Sequence, residues 1–519
     1  MKISGTFNNI TLMLIACLLV ILKPDIQAQG IHKNRFAVVD VIVEDSVLLR
    51  GTSITFDINT NSINTPHPGF TKSYNKAINS RVTRMIIPLS EAINYGRISF
   101  NDDGIINGKL QDRPLDYSNN LFLFENGDTI VLHLSERKGG ALFTGKCADK
   151  YNCMYRVNSN GSTNEIKSFS KVAADIALKK YKAALNYQKF QLDSLYKKQL
   201  TILEDYKGGL NPKVYQLIHI DCWGVYNKLV ADLYLNVFAR KYSEQYQAAK
   251  DLFIGDYGNY KEILFKDSAL LVKSYEYGEF LTTKEKAFAV IMNSTADQSY
   301  YNNTKFSDIN KAIDLHYEKG IVKDKVKLLS FLNIDRRREA DFVDFLNEAI
   351  VDAGNNQFRT ALTAFNDANA TGVNAFSFEL PDKNGKVIRL VDFKGKTVII
   401  DFWFTGCHAC LFMAKALKPI AAQYKANAQI VFVTVSIDPN YELWQKSLAT
   451  ERYCSKDEVN LLADSGMRSA IITHYNIEAF PTLIAISKSG KIISTAPPDP
   501  RVDGAVFTDF LNKVLIIGK

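Results

Sequence analysis

The stretch Val398–Cys410, "VIIDFWFTGCHAC", places two cysteines directly behind an apolar run that contains a single aspartate. A continuous apolar run of this length is typical of a central strand that is buried on both faces. The segment that follows, "ACLFMAKALKPIAAQYKA", has apolar residues at the three-and-four spacing of an amphipathic helix. The two cysteines are therefore expected at a strand-to-helix turn, with Cys407 at the start of the helix.

Such a pair can bind a metal, form a structural disulfide or exchange electrons. A structural zinc site needs four ligands, usually from a second pair, whereas Cys454 and His474 follow only singly. A disulfide that closes so short a loop restricts the unfolded chain very little. At a helix N-terminus, unpaired N–H groups and the helix dipole favour a thiolate, which is the attacking species in disulfide exchange. The pattern therefore favours redox chemistry, with Cys407 attacking and Cys410 resolving.

The sequence around this pair predicts an α/β sheet. Asn384-Gly385 lies between "FSFEL" and "VIRL", as in a hairpin turn. Another buried strand, "QIVFVTVSID", follows the predicted helix, and "PTLIAIS" with "GKIIS" reads as a closing hairpin. Alternating strands and helices that end in an antiparallel pair indicate a sheet covered by helices on both faces.

The combination of "VIIDFWFTGCHAC" with "FPTL" roughly 70 residues later resembles thioredoxin. The hairpin before it and the long segment after "VSID" are similar to exported thiol–disulfide oxidoreductases of the TlpA/ResA type. A β-rich region and a helical middle that precede such a module resemble the multidomain thioredoxin-like proteins of Bacteroidetes-type bacteria. The resemblance covers about residues 372–519, less than a third of the chain. It implies protein thiol or disulfide substrates, a thiol electron-donor protein, and no metal or organic cofactor.

The resemblance also implies roles for individual residues. Cys407 would be the nucleophile and Cys410 the resolving cysteine, and Asp401 would take the proton from Cys410. Pro481 matches the cis-proline of the family, whose backbone lies beside the disulfide. Trp403 is expected to pack beneath the active-site turn, although packing in an ordinary core fits its position equally well.

Two departures from the family pattern concern the surroundings of the cysteines. Gly406 stands where relatives carry a tryptophan, and the proline between the cysteines and the Glu-Pro pair in the helix are missing. His408 either adds a positive charge that makes the pair more oxidising or is an exposed residue at the helix start. The sequence therefore leaves the direction of electron transfer and the substrate preference open.

The N-terminus indicates export. Lys2 is followed by the apolar run Ile10–Leu22, too short to span a bilayer but typical of a signal peptide. A cleavage point follows Ala28, so we expect a periplasmic protein or one on the outer face of a membrane. "LIAC", ending at Cys17, also resembles a lipoprotein processing box, which would add a membrane tether, but the apolar run continues past it.

Composition divides the rest of the chain into two regions. Before residue 158, β-branched residues and the Asn126-Gly127 pair predict antiparallel strands and a hairpin. Apolar residues at helical spacing dominate the middle, with glycines at 208–209, 255, 258, 278 and 320 as expected breaks. We therefore expect a multidomain protein with a signal peptide at 1–28, an antiparallel β-rich domain at 29–157, an α-helical domain at 158–370 and a thioredoxin-like α/β domain at 371–519.

Several alternatives stay open at this point. Cys147 and Cys153 are close enough in sequence to form a disulfide, and Cys454 is either idle or a further resolving thiol. A thiol peroxidase, and a non-catalytic binding protein that uses its β and helical domains, are the competing functions. The net charge of +8 is spread without a dense Lys/Arg block, so no nucleic-acid partner is expected.

Overall fold

The computed structural model describes most of the chain from residue 35 to residue 517. The described ranges are 35–44, 53–60, 71–101, 121–135, 140–160, 169–239, 245–258, 267–295, 298–332, 339, 341–438, 441–463, 466–477 and 479–517. They form strands, then helices, then an α/β region, which confirms the predicted multidomain fold class. The proposed signal peptide and Cys17 lie outside the described residues.

The N-terminal region consists of strands in two four-stranded sheets. The strands are β1 (Arg35–Val43), β2 (Ser53–Asn59), β3 (Thr71–Ala77), β4 (Val82–Leu89), β5 (Ile93–Asn101), β6 (Leu121–Glu125), β7 (Thr129–Ser135) and β8 (Gly140–Thr144). Their orders are β4-β1-β7-β8 and β3-β2-β5-β6. The pairs are antiparallel except that β1 and β7 run parallel.

The hairpin predicted at Asn126-Gly127 is wrong, although the tight turn itself is present. Gly127 has a φ of +87°, and the N–H of Asp128 donates to the carbonyl of Glu125 at 3.1 Å. However, β6 pairs with β5 while β7 pairs with β1 and β8, so the turn joins the two sheets. The local turn signal was correct, but the pairing partner of a strand depends on which surfaces it buries.

Helices form the middle of the chain. They are α1 (Ala148–Asn160), α2 (Phe169–Ala177), α3 (Tyr181–Tyr206), α4 (Pro212–Ala239), α5 (Tyr246–Tyr257), α6 (Ser268–Lys273), α7 (Tyr275–Asn293), α8 (Phe306–His316), α9 (Ile321–Phe331), α10 (Phe342–Asp352) and α11 (Asn356–Asn369). The boundary expected at residue 157 falls inside α1. Among the described residues, none of the helices is both long and apolar enough to cross a bilayer.

The strands and the helices share one hydrophobic core that runs from Ala37 in β1 to Val326 in α9. Polar contacts reinforce this packing. The buried hydroxyl of Tyr95 in β5 donates to the carboxylate of Asp221 in α4 at 2.6 Å. Because buried polar groups are costly without partners, the matched pair ties the second sheet to the helices.

Only some of the predicted glycine breaks end a helix. Gly208–Gly209 separates α3 from α4, Gly258 follows α5 and Gly320 precedes α9, whereas Gly255 and Gly278 lie within helices. A Cβ atom at Gly278 would approach Cε of Lys325 to 2.6 Å, so this glycine allows close helix packing rather than a break.

The C-terminal region contains a five-stranded sheet in the order β13-β12-β11-β14-β15 and a separate hairpin. Its elements are β9 (Glu379–Pro381), β10 (Val387–Arg389), β11 (Thr397–Trp403), α12 (His408–Gln423), β12 (Ile430–Ser436), α13 (Tyr441–Thr450), β13 (Val459–Leu462), α14 (Ala470–Tyr475), β14 (Thr482–Ile486), β15 (Ile492–Ser494) and α15 (Gly504–Ile517). The predicted hairpin at Asn384-Gly385 joins β9 to β10, and the closing hairpin pairs β14 with β15. Both predictions are confirmed.

The central strand β11 is buried along its whole length, as its apolar run predicted. It runs parallel to β12 and antiparallel to β14. Ile400 and Phe402 pack into a core on one face of the sheet, while Ile399 packs with residues of α12 and α15 on the other face. Because side chains alternate along a strand, Asp401 and Trp403 share the face of Ile399.

Replacement of Gly224 by alanine should destabilise the helical region by about 1–3 kcal/mol, because overpacking a tight contact forces the backbone to move. A Cβ atom there would lie 2.6 Å from the backbone of Glu276 in α7. Gly255→Ala is the matched control, since nothing lies within 4 Å of its Cβ position. The control should stabilise the protein by about 0.5–1 kcal/mol through helix propensity. Urea unfolding followed by far-UV circular dichroism measures both, and equal effects would contradict the packing argument.

Candidate active site

The two cysteines lie where β11 passes into α12. Cys407 caps the N-terminus of α12 and forms a disulfide with Cys410, one turn into the helix. The N–H of Cys410 donates to Sγ of Cys407 at 3.1 Å. Cys407 is 6% exposed and Cys410 is fully buried. An N–H that points at the first sulfur supports a thiolate there when the disulfide is reduced.

The turn before Cys407 is held by polar side chains from neighbouring elements. The N–H and the hydroxyl of Thr405 each donate to the carboxylate of Asp438 at 2.7 Å. Oγ of Ser447 in α13 lies 2.6 Å from Oγ1 of Thr405. Sequence reasoning missed Asp438, although its position after the second buried strand was a signal. The carboxyl ends of parallel β11 and β12 meet at one edge of the sheet, so a residue there lies beside the turn.

Trp403 lies beneath the turn and is fully buried. Its ring stacks on that of Tyr453, with centroids 5.0 Å apart and planes 6° apart. The hydroxyl of Tyr453 accepts a hydrogen bond from the N–H of Gly406 at 2.9 Å. Tyr453 therefore supports the turn from below and also binds its backbone, and sequence reasoning did not single it out.

Asp401 is buried on the sheet face that α12 covers. Burial raises the pKa of its carboxyl well above the usual range, the charges of Glu458 and Asp499 raise it further, and Arg501 opposes them. Among the described residues, none donates a hydrogen bond to Oδ1 of Asp401. The direction of the pKa matches the sequence prediction, and a carboxyl of this kind takes up a proton readily.

Pro481 lies at the same end of the sheet. The Phe480–Pro481 peptide bond is cis, and β14 begins at the next residue, Thr482, which pairs with Phe402 of β11. The ring of Phe480 packs edge-to-face against Phe404 with centroids 5.5 Å apart. The structure therefore places the predicted proline beside the strand that leads to the disulfide.

His408 is exposed at the first position of α12, which fits both interpretations of this residue. Its ring meets that of Phe412 edge-to-face, with centroids 5.0 Å apart. Gly406 is also exposed and has a φ of +97°, a left-handed conformation that favours glycine.

The remaining described cysteines carry free thiols. Cys147 precedes α1 and Cys153 is buried within it, and the two are not bonded to each other. Cys454 belongs to a buried cluster that also contains Trp403, Cys407 and Cys410. Burial raises the pKa of Cys454 to about 12, so its thiol stays protonated and unreactive at neutral pH. The part of the chain that the structure describes contains no group of three His, Cys, Asp or Glu side chains placed to hold a metal.

Comparison with known proteins agrees with this geometry. The Thioredoxin_8 family, described as thioredoxin-like, matches residues 395–492. The C-terminal domain is thioredoxin-like, of the TlpA/ResA type. Thiol–disulfide oxidoreductase ResA of Bacillus subtilis is 29% identical over 158 residues, which are 30% of this chain and 81% of the relative. ResA of Bacillus thuringiensis subsp. konkukian is 27% identical over 122 residues, 24% of this chain and 66% of the relative.

Two solved structures from Bacteroides are similar to part of this chain. The thioredoxin domain of a thiol–disulfide oxidoreductase from Bacteroides vulgatus is 27% identical, with a TM-score of 0.25, and covers 28% of this chain and 98% of that one. A thiol:disulfide interchange protein from Bacteroides sp. is 26% identical, with a TM-score of 0.25. The match covers 29% of this chain and 92% of that protein.

Asp401→Asn should stabilise the protein at neutral pH. The folded-state pKa of Asp401 lies above its unfolded value, so the wild type loses stability as pH rises from about 4 towards the folded-state pKa. Asparagine imitates the protonated carboxyl and does not ionise, so the variant does not lose stability in this way. The difference in unfolding free energy between Asp401→Asn and the wild type should therefore vanish below about pH 4 and grow as pH rises above it. Unfolding free energies measured from pH 3 to 8 test this.

Asp457→Asn is the control, because Asp457 is exposed and pairs with Lys425 at the surface. If the stability gained by Asp401→Asn does not vary with pH, ionisation of the buried Asp401 carboxyl is not its cause.

Proposed function

We propose that the protein is an exported thiol–disulfide oxidoreductase that exchanges dithiol for disulfide with protein substrates. The observation that carries this proposal is the Cys407–Cys410 disulfide at the N-terminus of α12. The cis Phe480–Pro481 bond and the buried Asp401 support it, because they provide a site for the substrate backbone and an acceptor for a proton.

The reaction starts from the reduced pair. The thiolate of Cys407 attacks one sulfur of a substrate disulfide, a mixed disulfide forms, and the other substrate sulfur leaves as a thiolate. Asp401 takes the proton of Cys410, whose thiolate then attacks the sulfur of Cys407 and releases the second substrate sulfur as a thiolate. The proton on Asp401 then returns to solvent or to that thiolate. Two electrons pass to the substrate, and the protein is left with its own disulfide. A thiol protein restores the dithiol by the same exchange in reverse.

The direction of net transfer depends on the reduction potential of the pair relative to its partners. The exposed His408 at the start of α12 stabilises a thiolate whenever its ring is protonated, which would favour oxidation of substrates. The buried carboxylate of Asp401, when ionised, disfavours a further negative charge nearby and acts in the opposite sense. The proposal therefore covers exchange in both directions.

Export is part of the proposal and rests on residues 1–28. Lys2, the apolar run Ile10–Leu22 and the small residue Ala28 have the order of a secretory signal. A disulfide exchanger that works on protein substrates suits an oxidising compartment, where such substrates persist.

The purified mature protein should accelerate the reduction of insulin by dithiothreitol, measured as turbidity. Cys407→Ala should reduce the rate to the uncatalysed level, because the attacking sulfur is lost. Cys410→Ala should accumulate mixed disulfides with substrate that are visible on a non-reducing gel, because nothing resolves them.

Cys454→Ala is the matched control, since its thiol is buried in the same cluster but is unreactive. It should keep the wild-type rate. Full activity of Cys407→Ala would overturn the proposal, and peroxide consumption without insulin reduction would support a thiol peroxidase instead. Loss of activity in Cys454→Ala would restore Cys454 as a further resolving thiol.

Expression of the full chain in a bacterial host should yield a protein whose N-terminus begins at Gln29 in the periplasmic fraction. Edman sequencing or mass spectrometry of the mature chain tests this. A lipid-modified N-terminus at Cys17 would replace the soluble periplasmic form with a membrane-tethered one, and a chain that keeps Met1 in the cytoplasm would contradict export.

A further inference from the structure

A cavity of about 510 Å³ lies where the β-strands, the helical region and the thioredoxin-like domain meet. The second β-sheet forms one wall, and Tyr275 at the start of α7 forms a corner. Met467, Ala470 and Thr473 of the thioredoxin-like domain line the other side. Sites for small organic ligands have volumes of about 300–1,000 Å³ and occur preferentially between domains. The cavity therefore has the size and the position of a binding site.

The wall formed by the sheet carries polar side chains that neighbouring strands hold side by side. Asp57 of β2 is opposite both Ser73 of β3 and Arg97 of β5, so the three side chains share one face of the sheet. The hydroxyl of Ser73 donates to the carboxylate of Asp57 at 2.5 Å. Nη2 of Arg97 donates to the hydroxyl of Tyr275 at 3.2 Å, and the guanidinium lies 5.7 Å from the centroid of that ring. These contacts fix a strong acceptor and a strong donor next to each other.

The bonds within the wall use only part of the hydrogen-bonding capacity of these groups. A carboxylate accepts about four hydrogen bonds, and a guanidinium carries several N–H donors. Asn59, the next cavity residue along β2, adds an amide that donates as well as accepts, and Thr473 adds a hydroxyl from the opposite side. A ligand in the cavity thus meets donors and acceptors together.

The charges around the cavity balance. Asp57 carries one negative charge and Arg97 one positive charge. Lys72 also borders the cavity, but its ammonium lies 5.6 Å from the centroid of Tyr74, on the opposite face of β3. Burial raises the pKa of Glu276, the residue after Tyr275, to about 8, so this carboxyl adds no charge at pH 7. The cavity therefore selects for neither sign of charge.

This balance excludes several classes of ligand. An anion would meet the carboxylate of Asp57, and a cation would meet the guanidinium of Arg97. A purely apolar ligand would take both charged groups out of water without giving them partners, which is costly. A neutral ligand with many hydrogen-bonding groups avoids each of these costs.

We propose that this cavity binds a carbohydrate. Each hydroxyl of a sugar both donates and accepts, so two neighbouring hydroxyls match the wall: one donates to Asp57 and the other accepts from Arg97. The apolar face of the sugar ring packs against Met467 and Ala470. The site uses neither Cys407 nor its partner, so the inference goes beyond the proposed redox function and does not depend on it.

Isothermal titration calorimetry of the mature protein tests the proposal with four neutral sugars: maltotriose, cellotriose, xylotriose and triacetylchitotriose. At least one should bind with a Kd of about 1 mM or below. Asp57→Asn should weaken that binding about threefold or more, because a charge-assisted hydrogen bond becomes a neutral one. Absence of binding for all four sugars would overturn the inference.

Ala470→Trp tests the place of binding, because the indole occupies the cavity. Binding of the sugar should weaken at least about tenfold. Ala505→Trp is the matched control, since Ala505 is likewise exposed at the start of a helix, α15, but lies outside the cavity lining. It should bind as the wild type does, and far-UV circular dichroism checks that both variants fold. Equal binding by Ala470→Trp and the wild type would overturn the inference.

A capped tripeptide, acetyl-Ser-Gly-Ser-amide, separates a carbohydrate from a peptide. Its backbone is also neutral and also donates and accepts hydrogen bonds. The wild type should bind the sugar and not the tripeptide. Binding of the tripeptide but of none of the sugars, abolished by Ala470→Trp, would overturn the carbohydrate and assign the cavity to a peptide.

Discussion

The carboxylate of Asp438 holds both the N–H and the hydroxyl of Thr405, and the geometry of the active site depends on this contact. It fixes the direction in which the chain leaves β11, and therefore where Cys407 caps α12. Tyr453 adds a second bond at the next residue and supports Trp403 below. A thiolate is stabilised by N–H groups only if the backbone that carries them stays in place, so the polar contacts of the turn serve the reactivity of the sulfur.

The sequence predicted the C-terminal domain well because its signals are local. The buried run of β11, the hairpin at Asn384-Gly385 and the cysteine spacing each depend on neighbours in the chain. Tyr453 lies 47 residues from its partner Gly406, and nothing near either residue indicates that contact. The hairpin predicted at Asn126-Gly127 is wrong for a related reason. Local turn chemistry determines that the chain reverses there, whereas distant surfaces decide which strands pair.

Burial raises the pKa of both Asp401 and Cys454, with different consequences for the two groups. In Asp401 it favours the protonated carboxyl, so the ionised carboxylate binds a proton more tightly than an exposed one does. In Cys454 the same desolvation keeps the thiol protonated and removes it from exchange. One apolar environment thus separates a group that handles protons from a sulfur that would otherwise compete with Cys410.

The continuous core from β1 to α9 contrasts with the redox domain, whose sheet packs into hydrophobic cores of its own. The strands and the first helices bury one another's apolar surfaces, so neither retains a complete interior without the other. The sheet of the redox domain is covered by helices of that same domain. Removal of the redox domain would therefore leave the shared core of the strands and the first helices covered, whereas removal of either the strands or those helices would expose apolar surface of the other.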